Sequence, residues 1–249
     1  MIEDLFDAEL TGRPLATYVL AVAMLVVSLP TLVYPAFYEV FGGVGIPAYP
    51  WQILSSAFEH GWHGVPLLPH LLVDLLLIFI VGVAAEGMLG SARYLLLTVL
   101  AIAFYWFARQ VTHFEANGSS VFIWAYTPIV FVGLLRARRL GGTGGPVYER
   151  LRSMLVVMWL IIPLALGGLA ATRGVGLLVA VPRANLFHIS ALVAGVVGGT
   201  IWWRHIDRRV SSGQVARSRI DAAAVSIAAI IPVFFMVLVI LTILGALDT

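Results

Sequence analysis

The chain contains no cysteine and no lysine. Without cysteine there is no disulfide, no thiolate metal site and no thiol nucleophile. Without lysine there is no Schiff-base amine and no Ser–Lys dyad. Charge of either sign is scarce: Asp, Glu, Lys and Arg make up 11% of the 249 residues, against about 25% in a soluble domain. That scarcity excludes an ordinary soluble enzyme, a disordered segment and a nucleic-acid binder. In their place stand hydrophobic residues, 61% of the chain, with a mean hydropathy of +0.99. Such a composition belongs in a bilayer.

Apolar runs of about 20 residues can span a bilayer. They predict helices at 16–37, 69–86, 93–112, 119–136, 152–171, 184–203 and 221–246. The expected fold is therefore all-α, a polytopic membrane helix bundle with a six-helix core and a seventh helix after it. Residues 1–15 form a cytoplasmic N-terminal segment, 16–203 the membrane domain, 204–220 a basic cytoplasmic loop and 221–249 the added C-terminal helix. The first segment carries Glu3, Asp4, Asp7 and Glu9 and lacks a basic n-region, so a cleaved secretory signal is not expected.

Arginine placement orients the bundle. Arg136, Arg138, Arg139, Arg150 and Arg152 follow the fourth predicted span, and Arg204, Arg208, Arg209, Arg217 and Arg219 follow the sixth. These are 10 of the 15 cations, and residues 38–68 hold none. Both basic loops are expected in the cytoplasm, with the N-terminus inside and the C-terminus outside. The expected location is the cell membrane. The second, fourth and sixth helices then all start at the external face.

Ionisable groups inside a span are costly and mark function. His70 and Asp74 lie in the first turns of the second predicted helix, Ser119 and Ser120 open the fourth, and His188 lies in the first turns of the sixth. All three helices start on one side, so these groups share a depth within about 10 Å of the external surface at 1.5 Å rise per residue. A serine hydroxyl needs a base, and neutral imidazole is the usual one. Ala191, Gly195 and Gly199 follow His188 on one helix face. Small residues so spaced let two backbones approach closely. The alternatives are serine as interhelical glue, a structural histidine and ordinary small-residue packing.

Several separated segments resemble the rhomboid family of intramembrane serine proteases. Trp51-Gln52-Ile53-Leu54-Ser55-Ser56-Ala57-Phe58-Glu59-His60 is similar to the family's Trp-Arg-x-x-Thr/Ser-x-x-Phe-x-His stretch, with Gln52 in place of Arg. His70-x-x-x-Asp74 is similar to His-x-x-x-Asn, and Gly82 through Tyr94 resembles the joint between helices two and three. Gly118-Ser119-Ser120-Val121, with Trp124, resembles Gly-x-Ser-Gly followed by an aromatic residue. His188, Ala191, Gly195 and Gly199 resemble His-x-x-Gly-x-x-x-Gly extended by one repeat.

The resemblance implies a six-helix core and a Ser–His dyad of Ser120 and His188. The Ser120 backbone N–H, His70 and Asp74 would stabilise the oxyanion, and Gly118, Trp124, Gly195 and Gly199 would support the dyad. Cleavage would fall in or near a transmembrane segment of another protein, close to the external face. No metal or cofactor is implied. Transmembrane proteins and the lipid bilayer are the expected partners, and nucleic acid is not.

The chain departs from the family pattern at Val121, which replaces glycine, and at Asp74. An ionised Asp74 would repel the developing oxyanion, whereas a protonated one could donate to it. A competing register makes Ser119 the nucleophile. Two other functions remain open: a catalytically impaired relative that binds transmembrane clients, and a small transporter. His60, His63, His70 and Glu59 lack regular metal-ligand spacing, and the segment holding Glu59, His60 and His63 is expected to be an external loop lying in the interface. Arg109 is expected to be solvated at the outer end of the third helix, and Glu86 and Arg93 to pair or cap beside the loop near 90. Trp51, Trp62, Trp202 and Trp203 fit an interfacial aromatic belt.

Overall fold

Long apolar stretches with little room for unpaired backbone polar groups must become helices in lipid, and helices are what form. The computed structural model describes residues 13–42, 49–60, 67–112, 118–140, 176–216 and 218–230, with the side chains of 112, 138 and 176–185 excepted. Among these residues there is no strand. The helices are α1 (Leu15–Val33), the short α2 (Phe37–Phe41) and α3 (Gln52–Ser55), α4 (Leu67–Leu89), α5 (Ser91–Thr112), α6 (Ser120–Arg139), α7 (Gly176–Ile201) and α8 (Trp203–Ser211). A further helix, α9, covers 218–230.

Four of them are long and apolar enough to cross a membrane: α1, α4, and the Ser91–Val111 and Ser120–Ala137 portions of α5 and α6. Residues Leu186–Ile201 of α7 and helix α8 make a fifth candidate if taken together, although the chain bends by 70° between them. The helix expected at 152–171 and most of that at 221–246 lie outside the described residues.

α6 is the central element. It packs against α4, α5, α7 and α8, and Phe122, Ala125, Tyr126, Ile129 and Val130 along it are fully buried. Many of the large exposed side chains are Leu, Val, Ile and Phe on the outer faces of these helices. In water such a surface would drive association, and in a bilayer it is the lipid-facing layer.

At one end of the bundle the helix termini are tied together. The Glu86 carboxylate accepts from the Ala16 N–H (3.1 Å), the Thr17 N–H (2.8 Å), the Thr17 hydroxyl (2.7 Å) and the Ser91 hydroxyl (2.6 Å). It therefore caps the first turn of α1, where unpaired N–H groups attract negative charge, and holds the first residue of α5 through its hydroxyl. Gly90, at φ 74°, is the whole connection between α4 and α5. Arg93, on the first turn of α5, reaches the His205 ring at 3.2 Å.

The segment expected as a loop at 204–220 is largely helical. α8 buries Ile206 and Val210 and exposes Arg204 and Arg208. It is tied down by an Arg136–Asp207 ion pair and by Arg209 donating to the Gly87 carbonyl at 2.7 Å. The apolar-in, charged-out spacing of Ile206 and Val210, one turn apart, is the helical signal.

Candidate active site

α6 starts at Ser120, and the chain reaches it through Gly118 at φ 122°, a conformation L side chains avoid. A Cβ on Gly118 would stand 3.1 Å from His70 Cε1. The Gly118 N–H donates to the Ser56 carbonyl at 3.2 Å, which ties this turn to the segment after α3. The turn sends the two serines in different directions.

Ser120 is partly exposed, and its Oγ lies 3.0 Å from His188 Nε2 across the α6–α7 interface. The Trp124 ring, one turn along α6, lies 5.2 Å from the imidazole. Ser119 is 0% exposed. Its hydroxyl donates to Asp74 Oδ2 at 3.0 Å and contacts His60 Nε2 at 2.9 Å. Only Ser120 faces His188.

Along the α6–α7 interface the backbones come closest at Gly195. A Cβ on Gly195 would overlap the Ala125 carbonyl oxygen and stand 2.8 Å from Pro128 Cδ. A Cβ on Gly199 would meet Ile129 Cδ1 at an ordinary 3.5 Å. Gly195 thus sets the interhelical distance, and Gly199 has room. α7 begins at Gly176, so His188 lies well inside it and not in the first turns of a helix starting at 184.

Asp74 is placed differently from the expected oxyanion donor. It is 4% exposed, and its Oδ2 is held by Ser119 and lies 3.2 Å from His60 Nε2. His70 Nε2 is farther, at 3.9 Å. His70 keeps its place beside Gly118, with its side chain 22% exposed.

His60 corrects a further expectation. The segment ending in Glu59 and His60 is not an interfacial loop: both residues are 0% exposed. His60 Nδ1 lies 2.8 Å from the Phe58 carbonyl and 2.9 Å from Ser28 Oγ on α1. Ser28 shares the buried face of α1 with Thr17, Ala21 and Met24. A polar residue at that 4-3-4 spacing was the available sign of an inward-facing partner. Gln52 is also buried, and donates to the Glu39 carbonyl at 2.6 Å to hold α2 against α3. Arg109 is 2% exposed and lies over the Trp106 ring at 4.8 Å, so it is not solvated. Its long stem and the ring face explain how the core holds it.

Comparison of the chain with protein-family models, curated proteins and solved structures gives no match. Among the described residues no group of three or more His, Asp or Glu side chains is arranged to hold a metal ion. Trp51 and Trp203 are about half exposed (49% and 51%), Trp202 packs beside Gly198, and Trp62 and His63 lie outside the described residues.

Proposed function

We propose that the chain is an intramembrane serine endopeptidase of the rhomboid type that cleaves transmembrane segments of other proteins. The observation that carries this reading is the 3.0 Å contact between Ser120 Oγ and His188 Nε2. The two residues come from different helices, and the glycine contact at Gly195 holds those helices together. Hydrogen-bond reach between a hydroxyl and an imidazole is the geometric requirement for general-base activation.

In the proposed reaction His188 Nε2, unprotonated, accepts the Ser120 hydroxyl proton as Oγ attacks the scissile carbonyl. The tetrahedral oxyanion lies against the start of α6, with the Ser120 backbone N–H as its main-chain donor. His70, beside Gly118 and partly exposed, supplies a side-chain donor. The imidazolium then gives its proton to the leaving amine. Water takes the place of that amine, loses a proton to His188 and attacks the acyl-enzyme. The second tetrahedral intermediate collapses, Ser120 regains its proton and the new carboxylate leaves.

A membrane helix buries its scissile amide in hydrogen bonds, so the substrate must unwind at the site. Small and helix-breaking residues near the cleavage point are the expected preference. The arginine-rich end with α8 faces the cytoplasm and the Ser120 end faces out, in a six-helix core with one added C-terminal helix.

The test is covalent labelling of Ser120 by a serine-directed fluorophosphonate. Wild type is expected to label and Ser120→Ala is not. Absence of wild-type labelling, or equal labelling of Ser120→Ala, would overturn the assignment. Capture of a transmembrane client without labelling or cleavage would favour the client-binding alternative.

A further inference from the structure

Behind Ser120 lies a buried polar cluster that the proposed reaction does not use. It joins His60 to Ser28 of α1, Asp74 of α4 and Ser119 of the turn before α6. Its hydrogen atoms can be counted. The Phe58 carbonyl only accepts, and it lies 2.8 Å from His60 Nδ1, so Nδ1 carries a proton. The Ser28 hydroxyl donates to the same carbonyl at 2.8 Å, which leaves its oxygen to accept from Nδ1 at 2.9 Å.

On the other side of the ring, His60 Nε2, Asp74 Oδ2 and Ser119 Oγ form a triangle with edges of 3.2, 3.0 and 2.9 Å. The Ser119 hydroxyl proton bridges one edge. The Nε2–Oδ2 edge needs a second proton, because two lone pairs at that distance repel. If it rests on Nε2, the pair is an imidazolium and a carboxylate. If it rests on Oδ2, a neutral imidazole accepts from a carboxylic acid and from the Ser119 N–H at 3.4 Å. Either way the pair is neutral overall. His70 Nε2, at 3.9 Å, is too far to supply this bond.

We propose that His60 is a positioning residue which shares one proton with Asp74, so that the buried carboxylate stays neutralised and bound to Ser119 instead of opposing the negative charge that develops at Ser120. Ser119 is covalently next to the nucleophile, so an uncompensated carboxylate bound to it would destabilise the tetrahedral intermediate. This rests on the endopeptidase assignment for its kinetic consequence, and on the hydrogen count for the pairing itself.

The experiment is a double-mutant cycle of His60→Gln and Asp74→Asn, each variant followed by fluorophosphonate labelling rate and by thermal unfolding in detergent. Glutamine can hydrogen-bond but cannot carry the second proton. His60→Gln is expected to label about tenfold more slowly or worse and to unfold several degrees lower. Adding Asp74→Asn removes the charge, and the double variant is expected to recover most of both losses. A purely structural histidine would give additive losses with no recovery. Additive losses in both readouts, or a His60→Gln variant equal to wild type, would overturn the proposal. If wild type does not label, the endopeptidase assignment falls, and the thermal cycle still decides whether the proton is shared.

Discussion

Adjacent serines with opposite surroundings make a direct test at the residue scale. Ser120 is partly exposed and faces His188, whereas Ser119 is fully buried against His60 and Asp74. Ser119→Ala is expected to keep fluorophosphonate labelling at Ser120 and to lower stability by about 1–3 kcal/mol, since Asp74 loses a buried donor. Mass spectrometry of the labelled peptide reads the first and thermal unfolding the second. A label on Ser119 would reverse the two roles. Asp74→Leu removes the hydrogen-bond partner of both Ser119 and His60, and a similar loss of about 1–3 kcal/mol or more is expected by thermal unfolding. Stability unchanged by that variant would contradict the hydrogen-bond triangle.

Between elements, packing is tightest where a side chain is missing. Gly195→Val would push against the Ala125 carbonyl and Pro128 and separate α6 from α7. Overpacking of this kind costs about 1–3 kcal/mol. It also lengthens the contact between Ser120 and His188, so labelling is expected to fall more than stability does. Gly199→Ala, with ordinary space around it, is expected to perturb both far less. Equal effects at the two glycines would show that Gly195 does not set the distance. The Glu86 cap makes a second test at this scale. Glu86→Leu strips α1 and α5 of a shared acceptor, and a loss of about 3 kcal/mol or more by thermal unfolding is expected.

Much of this scale was legible beforehand. The hydrophobic runs predicted α1, α4, α5 and α6 to within a few residues, because in lipid a long apolar run has few conformational choices. The start of α7 was not legible. Pro182 is a residue that disfavours a helix interior, yet the helix passes through it. Nor was the inward turn of His60 visible. A histidine flanked by glycine in a polar stretch looks like loop, and the partners that make its burial favourable, Ser28, Asp74 and Ser119, come from distant parts of the chain.

On the scale of the whole molecule, polarity is divided between two ends. Glu86, Arg136, Asp207 and Arg209 tie one end together, and His60, His70, Asp74, Ser120 and His188 gather at the other. The absence of native cysteine makes the orientation testable with single introduced thiols. Leu140→Cys lies at the arginine-rich end and Tyr49→Cys at the other, and both native side chains are exposed (51% and 42%). In intact cells an impermeant maleimide is expected to label Tyr49→Cys and to spare Leu140→Cys until the membrane is opened. The reverse pattern would invert the proposed topology.

Proteolysis itself is tested most directly by purified protein in liposomes with a model transmembrane substrate. Wild type is expected to produce two fragments cut near the outer face. Ser120→Ala and His188→Ala are each expected to reduce the rate by about 10³-fold or more. An intact substrate with wild-type protein, or fragments that persist with Ser120→Ala, would contradict the Ser120–His188 dyad.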